Sequence, residues 1–490
     1  MQPERLRLLR NVASIPLADV PVLAGAEFRD TIADHVARDW RVMALYGRSA
    51  TAGVRLYAVL GSGERSQLAI VASEVAGDRF EALTPRVPQV HWFEREIAET
   101  FGLVPEGHPW PEPIRSLGGQ TSFFKVAGED VHEVAVGPVH AGIIEPGHFR
   151  FQCLGERVLH LEIRLGYQHR GIESTLVGGP DRRSLALLET VAGDTTVGHG
   201  LAYARIVETL GGAEVTARAD VIRALALELE RVANHVGDLG ALAGDVGFLP
   251  TASYCGRLRG DVLNATASVC GSRFGRGWIR PGGCGFDLDS RRVRDLVRSL
   301  ETLSRDIQGA VGLLFSAPSV RARFVDTGRL GPEQARELGL VGPAARATGL
   351  SRDVRHDFPD GIFRMAQLPV STWHSGSVFA RAYVRWLEVQ RSLAFIRELL
   401  AWLPRGSALA ESSAPPLGPD RLAVALVEGW RGEICHVAET DSRGSFQTYK
   451  IVDPSFHNWP GLGIAMRDQA ISDFPLCNKS FNLSYCGHDL

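Results

Sequence analysis

The sequence predicts an α+β protein: a small mixed α/β unit followed by a larger, mostly helical body with small antiparallel sheets at its ends. Three observations carry that reading. Two strand-like runs, 54–60 and 68–75, flank the polar connection GSGERS, the pattern of a hairpin. Between 220 and 403, long stretches repeat apolar residues every three or four positions, the period of an amphipathic helix. Beyond 421 the chain returns to strand-like runs at 422–428, 435–440 and 446–452.

At 490 residues the chain exceeds one ordinary core, and length suggests about two to four domains. A content of 45% hydrophobic and 22% charged residues is that of a soluble globular protein. The formal charge of -3 gives no argument for nucleic-acid binding or for electrostatic attachment to a membrane. Lys125, Lys450 and Lys479 are the only lysines; the bias toward arginine looks genomic, although arginine favours bidentate pairs inside large interfaces. No apolar run of about 18 residues occurs, and the N-terminus lacks the apolar stretch of a signal peptide. A cytoplasmic protein is expected. Seven scattered cysteines without a CxxC pair read as reduced, buried thiols.

Taken in order, 28–41 reads as a helix, with Phe28, Ile32 and Val36 four apart. Residues 90–101 form a short amphipathic helix through Trp92, Phe93, Ile97 and Phe101, stopped by Gly102 and the prolines beyond it. Its Glu94, Arg95 and Glu96 read as a solvated face. Residues 116–130 look like a linker. Strands are expected at 131–137, 148–154 and 158–164, and the turn between the first two carries His140, Glu145 and His148. Tyr167, His169, Arg170 and Glu173 follow in a polar, glycine-containing segment.

The stretch 189–203, ETVAGDTTVGHGLAY, mixes small residues with Asp194, Thr195, Thr196 and His199. Small residues permit close backbone approach, and Thr and Asp can cap the helix that follows, so it reads as a loop-to-helix junction lining something. The clearest helix is 220–240, with Asp220 as its expected N-cap. Glu228 and His235 lie along one edge of its apolar stripe; a buried charge there needs partners, and a histidine there is more often part of the core than a ligand. Helices also fit 251–270, 290–314 and 378–403. The connections 271–286 and 339–355 combine glycine with arginine and read as buried loops tied by arginine–carbonyl bonds. Residues 405–420 read as a flexible surface loop, and 453–459 with the tail as turns.

Several phrases, in this order, resemble two related families over about 400 residues. WFEREIAETFGLVPEGHP resembles the 30-kDa subunit of respiratory complex I. GPVHAGIIEPGHFRF, YQHRGIE, ELERVANHVGDLG, GDVG, SRFGRGWIRPGG, GPAARATGLSRDVR, VEGWRGE and DPSFHNW resemble the complex I 49-kDa subunit and the large subunit of membrane-bound, energy-converting NiFe hydrogenases of the formate hydrogenlyase type. The resemblance implies a complex I 30-kDa-like domain at 1–115, the linker, and a 49-kDa or hydrogenase-large-subunit-like domain at 131–490.

Hydrogenases of this kind hold nickel and iron with four thiolates. Carried over through GHGLAY and the C-terminal CxxCxxH form, those positions fall on Ala192, Thr195, Asn482 and Tyr485, so the resemblance implies a chain without a NiFe centre. The quinone-site histidine of complex I falls on Ile144 and the quinone-site tyrosine near Gly193, which departs from the familiar quinone geometry; quinone remains a possible acceptor. Glu145 resembles the glutamate beside the hydrogenase metal site, His169 and Arg170 resemble residues near the adjoining iron–sulfur cluster, and Asp245 matches an acidic residue at the cavity floor. Buried pairs that merely hold the fold are the plainer reading of all four.

The resemblance thus implies the large subunit of a membrane-associated oxidoreductase complex coupled to ion translocation. It would dock on a small subunit with a 4Fe–4S cluster, beside a ferredoxin-like subunit and antiporter-like membrane subunits, on the inner face of the membrane. Its cavity would be lined by Glu145, His148, His169, Arg170, Asp194, His199, Asp245 and the tail. Two other readings stand beside it: a non-catalytic coupling subunit, and a true NADH:quinone oxidoreductase subunit with a shifted quinone site. No glycine-rich dinucleotide fingerprint is present, so any NAD(H) is expected on another subunit.

Overall fold

The computed structural model describes residues 6–51, 53–115, 122–140, 145–409 and 416–490. Ile144 therefore lies outside the described residues, as do parts of the expected linker and of the 405–420 loop.

The N-terminal unit is an antiparallel sheet in the order Arg7–Leu9, Gln67–Val75, Gly53–Ser62, Arg41–Ala50, with Val22–Leu23 added in parallel to Gln67–Val75. Helices Gly25–Val36 and His91–Phe101 pack against it. The first helix stops earlier than its apolar spacing suggests, and Arg41–Ala50 is a long strand that the period does not reveal. Its first six residues are all buried, so the apolar/polar alternation that marks a half-exposed strand is missing.

Glu94 and Glu96 correct the expectation of a solvated face, for both are buried. Glu94 accepts from the backbone N–H groups of Leu83 and Thr84 at 2.6 and 3.0 Å, holding the preceding loop. Glu96 takes Arg115 Nη2 and Lys450 Nζ, each at 2.7 Å. Burial alone would raise its carboxyl, but Lys450 and Arg115 outweigh burial and hold it at about 2. Lys450 belongs to strand Phe446–Val452 at the far end of the chain, so this buried triad bolts the two units together. The N-terminus goes further: Ala13–Pro16 pairs antiparallel with Arg421–Gly429 as the outer strand of the C-terminal sheet Phe446–Val452, Gly432–Thr440, Arg421–Gly429, Ala13–Pro16.

The body is built around the 29-residue helix Ala217–Asp245, flanked by Leu249–Cys270 and Val378–Ala401, with Ser290–Ser316 outside. Its N-cap is Thr216, whose hydroxyl accepts from Ala219 N at 3.2 Å; Asp220 instead takes Arg205 at 2.7 Å. The three flanking helices end within two residues of where the periodicity places them, and the central one runs on from the expected 240 to Asp245. The expected turn at 453–459 is the start of a helix, Pro454–Ala465, capped by Asp453 on Ser455 N at 2.8 Å. Asp followed by Pro at the first helical position is a start signal that could have revealed it.

The two glycine/arginine connections are tied by arginine donors to carbonyls. Arg223 reaches the Arg280 and Gly283 carbonyls, Arg346 the Arg352 carbonyl at 2.6 Å and Arg352 the Leu340 carbonyl at 3.0 Å. The seven cysteines are free and buried. Among the described residues no helix is long and apolar enough to cross a membrane.

Candidate functional site

The C-terminal hairpin turns tightly between Gly429 and Gly432, so Trp430 and Arg431 form its tip. Gly342 makes room for that tip: its φ is +64°, and a Cβ there would lie 2.0 Å from the Arg431 carbonyl oxygen. Arg431 is thereby pushed between two distant segments. Its guanidinium grips Asp194 with both terminal nitrogens, at 2.5 and 2.8 Å, and reaches Thr195 Oγ1 at 3.3 Å. Its Nε donates to the Asn482 carbonyl at 2.5 Å. Trp430 Nε1 donates to the Asp194 carbonyl and Thr195 Oγ1, both at 3.1 Å. Asn482 continues the chain of bonds to Asp238 Oδ1 at 2.5 Å, and Asp238 pairs with Arg385 at 2.7 Å. One arginine thus clasps 194–195 to the tail.

Behind the clasp runs a single file of buried groups. Asp453 Oδ2 lies 3.0 Å from His199 Nε2, His199 Nδ1 lies 3.1 Å from His436 Nε2, and His436 Nδ1 lies 2.9 Å from Tyr449 Oη. All four are almost wholly buried. Burial would raise the Asp453 carboxyl, but the hydrogen bond and charge of His199, with Arg431 nearby, hold it below the usual range. Burial, then the charge of His199, drives His436 well below an ordinary imidazole. Each inner group can donate on one side and accept on the other. A proton arriving at Tyr449 Oη can therefore be relayed: the tyrosine passes its own proton to His436 Nδ1, His436 Nε2 passes one to His199 Nδ1, and His199 Nε2 hands one to Asp453. The tail closes this file, because a Cβ on Gly487 would meet Asp453 Cγ at 2.7 Å.

Glu230 is a third component. Its carboxylate accepts from Val197 N at 2.7 Å and Gly198 N at 3.1 Å, at the positive end of helix Thr196–Gly211. Burial pushes it up to about 8 despite those bonds, and the neighbouring charge of Asp194 adds to the rise. Because the folded value lies above the unfolded 4.5, Glu230 contributes stability that is full below about pH 4.5 and is lost as pH rises through about 8. We expect the unfolding free energy of the native chain, taken relative to Glu230→Gln, to decline between about pH 4.5 and 8 in denaturant titrations; equal slopes in the two proteins would contradict this assignment.

Of the sequence-predicted residues, Asp194 and His199 stand within this site. Glu145 joins it at the edge, accepting from Tyr485 N at 3.1 Å. His148 hydrogen-bonds the Gly137 carbonyl at 3.3 Å and packs on Phe123 instead. Arg170 is exposed and holds the Thr190 and Val191 carbonyls at 2.9 and 3.1 Å, bracing the approach to Asp194. His169 is exposed, in a segment that Asp489 ties to the tail through Gly166 N and Gln168 N. Asp245 is exposed at the outer end of the long helix, with Lys479 as its nearby cation. Sequence reasoning missed Glu230, Arg431, His436, Tyr449 and Asp453. Three of them lay in quoted phrases, Glu230 in ELERVANHVGDLG, Arg431 in VEGWRGE and Asp453 in DPSFHNW.

Ala192, Thr195, Asn482 and Tyr485 supply no thiolate, and Thr195 Oγ1 is already engaged by Arg431 and Trp430. Cys477 and Cys486, the nearest thiols in sequence, are each pushed up to about 11 by burial, so both are neutral and poor ligands at neutral pH. This donor set does not fit a soft-metal centre such as nickel–iron.

A helical large-subunit body fused to a small 30-kDa-type unit defines the class of protein: a subunit of a redox complex. The family described as respiratory-chain NADH dehydrogenase, 30 Kd subunit, matches residues 22–117, and the 49 Kd subunit family matches 245–420. Formate hydrogenlyase subunit 5 of Escherichia coli is 31% identical over 437 residues, 83% of this chain and 76% of that protein. The carbon monoxide-induced hydrogenase of Rhodospirillum rubrum is 30% identical over 352 residues, 72% of this chain and 97% of that one. NADH-quinone oxidoreductase subunit 4 of Thermus thermophilus is 30% identical over 372 residues, 70% and 90% of the two chains. Among solved structures, a chain of the membrane-bound sulfane sulfur reductase, an archaeal respiratory membrane complex, shares the fold with a TM-score of 0.69 at 24% identity, over 75% of this chain and all of that one. The chain belongs to the family that unites the complex I 30-kDa/49-kDa subunits with the large subunits of energy-converting hydrogenases.

Proposed function

We infer that this chain is the large subunit of a membrane-associated, ion-translocating oxidoreductase complex, and that it works without a NiFe centre of its own. The observation that carries the second clause is the clasp: Arg431 joins Thr195 and Asn482, two of the four positions where the hydrogenase resemblance would place sulfur ligands, and grips Asp194 beside them. In this reading the cavity moves protons in step with electron transfer to a non-metal acceptor, with quinone as one candidate. Glu230 holds a proton at the cavity beside the Arg431–Asp194 pair, and the Asp453–His199–His436–Tyr449 file carries protons through the interior. Histidines and carboxylates can do this without metal. The partners we propose are a small subunit with a 4Fe–4S cluster, a ferredoxin-like subunit and antiporter-like membrane subunits. Through them the chain would sit on the inner face of the membrane.

The test is turnover of the purified complex. Tyr449→Phe is expected to slow proton-coupled electron transfer by on the order of 10²-fold, with an enlarged solvent isotope effect and an unchanged melting temperature. The second reading, a cavity that only braces the complex, is favoured by the dense cross-linking of these same residues. Full activity in Tyr449→Phe, Glu145→Gln and His169→Ala together would establish bracing and overturn the proton route.

A further inference from the structure

We propose that the cavity where the N-terminal unit meets the helical body is a binding site for a flat aromatic anion, a ring system carrying a carboxylate, phosphate or sulfonate group. The cavity measures about 420 Å³, within the range of small-molecule sites. It lies away from the clasp, and its walls come from both units: helix His91–Phe101 and the segment after it on one side, strand Arg157–Arg164 and the end of helix Pro454–Ala465 on the other.

The walls are aromatic. Trp110 meets Phe124 edge to face with centroids 5.8 Å apart, and Phe124 lies 4.4 Å from the His160 ring. Trp92 sits beneath the guanidinium of Arg95, 5.9 Å from the ring centroid. Such surfaces suit a planar ligand.

The charge on the walls is positive and unbalanced. Arg95 spends its hydrogen bonds on the Glu112 and Pro113 carbonyls, and among the described residues no carboxylate pairs with it. Burial pushes its guanidinium down to about 10, outweighing the nearby carboxylates of Glu162, Glu112 and Glu99. Arg467, on the same cavity, makes no side-chain bond among the described residues. The one carboxylate on the walls, Glu162, is already committed, to Arg164 Nε at 2.9 Å and Phe124 N at 2.8 Å. The histidines do not add charge: burial holds His91 at about 3 and keeps His108 and His160 below the ordinary imidazole range. Two guanidinium groups with no hydrogen-bonded carboxylate among the described residues, half-buried Arg95 and exposed Arg467, therefore border a ring-lined space. A bare inorganic anion would leave the rings unused, and a neutral ring would leave both cations unpaired.

The experiment uses the full chain and two fluorescent probes of one ring system, 8-anilinonaphthalene-1-sulfonate and the uncharged N-phenyl-1-naphthylamine. The sulfonate is expected to bind saturably, one per chain, quenching tryptophan emission from the cavity. Arg95→Gln combined with Arg467→Gln should weaken it at least tenfold and leave the uncharged probe unaffected. Gly463→Leu should block both probes; Gly463 lines the cavity, and a Cβ there meets only the Leu161 carbonyl at 3.5 Å. Arg467→Gln alone breaks no described bond and should weaken the sulfonate severalfold, so the test survives if the double variant does not fold. Unchanged sulfonate affinity in the arginine variants, equal weakening of both probes, or binding that persists in Gly463→Leu would each overturn the proposal. So would the absence of saturable binding.

Discussion

Glu388→Ala is expected to destabilise the chain by about 3–5 kcal/mol, the usual cost of stranding a buried charge. Glu388 sits on helix Val378–Ala401 and faces two guanidinium groups and an imidazole that burial keeps below its ordinary range. Its oxygens take Arg346 Nε at 2.9 Å, Arg231 Nη1 at 3.0 Å and His235 Nε2 at 2.9 Å, and all four residues are almost fully buried. Burial would raise its carboxyl, but Arg346, His235 and Arg231 hold it well below the usual range. Alanine leaves Arg231 with only Glu228 at 3.5 Å and the Glu428 backbone carbonyl, and Arg346 with Asp353 at 3.7 Å and Glu428 at 2.8 Å, whose own carboxyl burial and Asp353 push up to about 7. The network would then lack the charge that balances it. Guanidinium denaturation of the full chain reads the loss; a change under about 1 kcal/mol would show that Glu388 is not the hub. Glu388→Gln should fall between, because it keeps hydrogen bonds and loses the charge.

Arg431→Met is the second large effect, and it separates the clasp from the rest of the core. Methionine fills similar volume but releases Asp194, the Thr195 hydroxyl and the Asn482 carbonyl together. The Asp194 side chain is 31% exposed, so water recovers part of that charge and the expected loss is smaller, about 2–3 kcal/mol. Arg431→Lys should rescue little, since one ammonium cannot reproduce a bidentate grip on Asp194 and a third bond to the tail. Faster amide exchange confined to 194–200 and 478–490 is the expected signature. Uniform exchange across the chain would mean that Arg431 serves general packing instead.

Legibility in the sequence followed local period. The long helix Ala217–Asp245 was readable because its apolar stripe repeats along most of its 29 residues, and the edge it leaves for Glu228 and His235 was visible too. Glu230 was not: ELE offers two glutamates, and nothing local says that the second one faces the amide groups of Val197 and Gly198. The relay was hidden for a related reason. His436 and Tyr449 are diagonal neighbours on paired strands, His436 opposite Ile451 and Ala438 opposite Tyr449, and that register follows from the hairpin and not from either residue. Ala13–Pro16 crossing to the C-terminal sheet is likewise a long-range pairing that four residues cannot announce. Three of the candidates, His169, Arg170 and Asp245, took their place in the site from family resemblance, and the fold sets all three on the surface.

The central claim is that this large subunit works without nickel, with Arg431 joining Thr195 and Asn482, two of the positions where the resemblance would place sulfur ligands. Elemental analysis of the intact, active complex, purified with its partner subunits, tests it most directly. The account predicts iron from partner clusters and nickel far below one atom per chain, together with turnover that fails in Arg431→Met. Stoichiometric nickel in the active complex would contradict it.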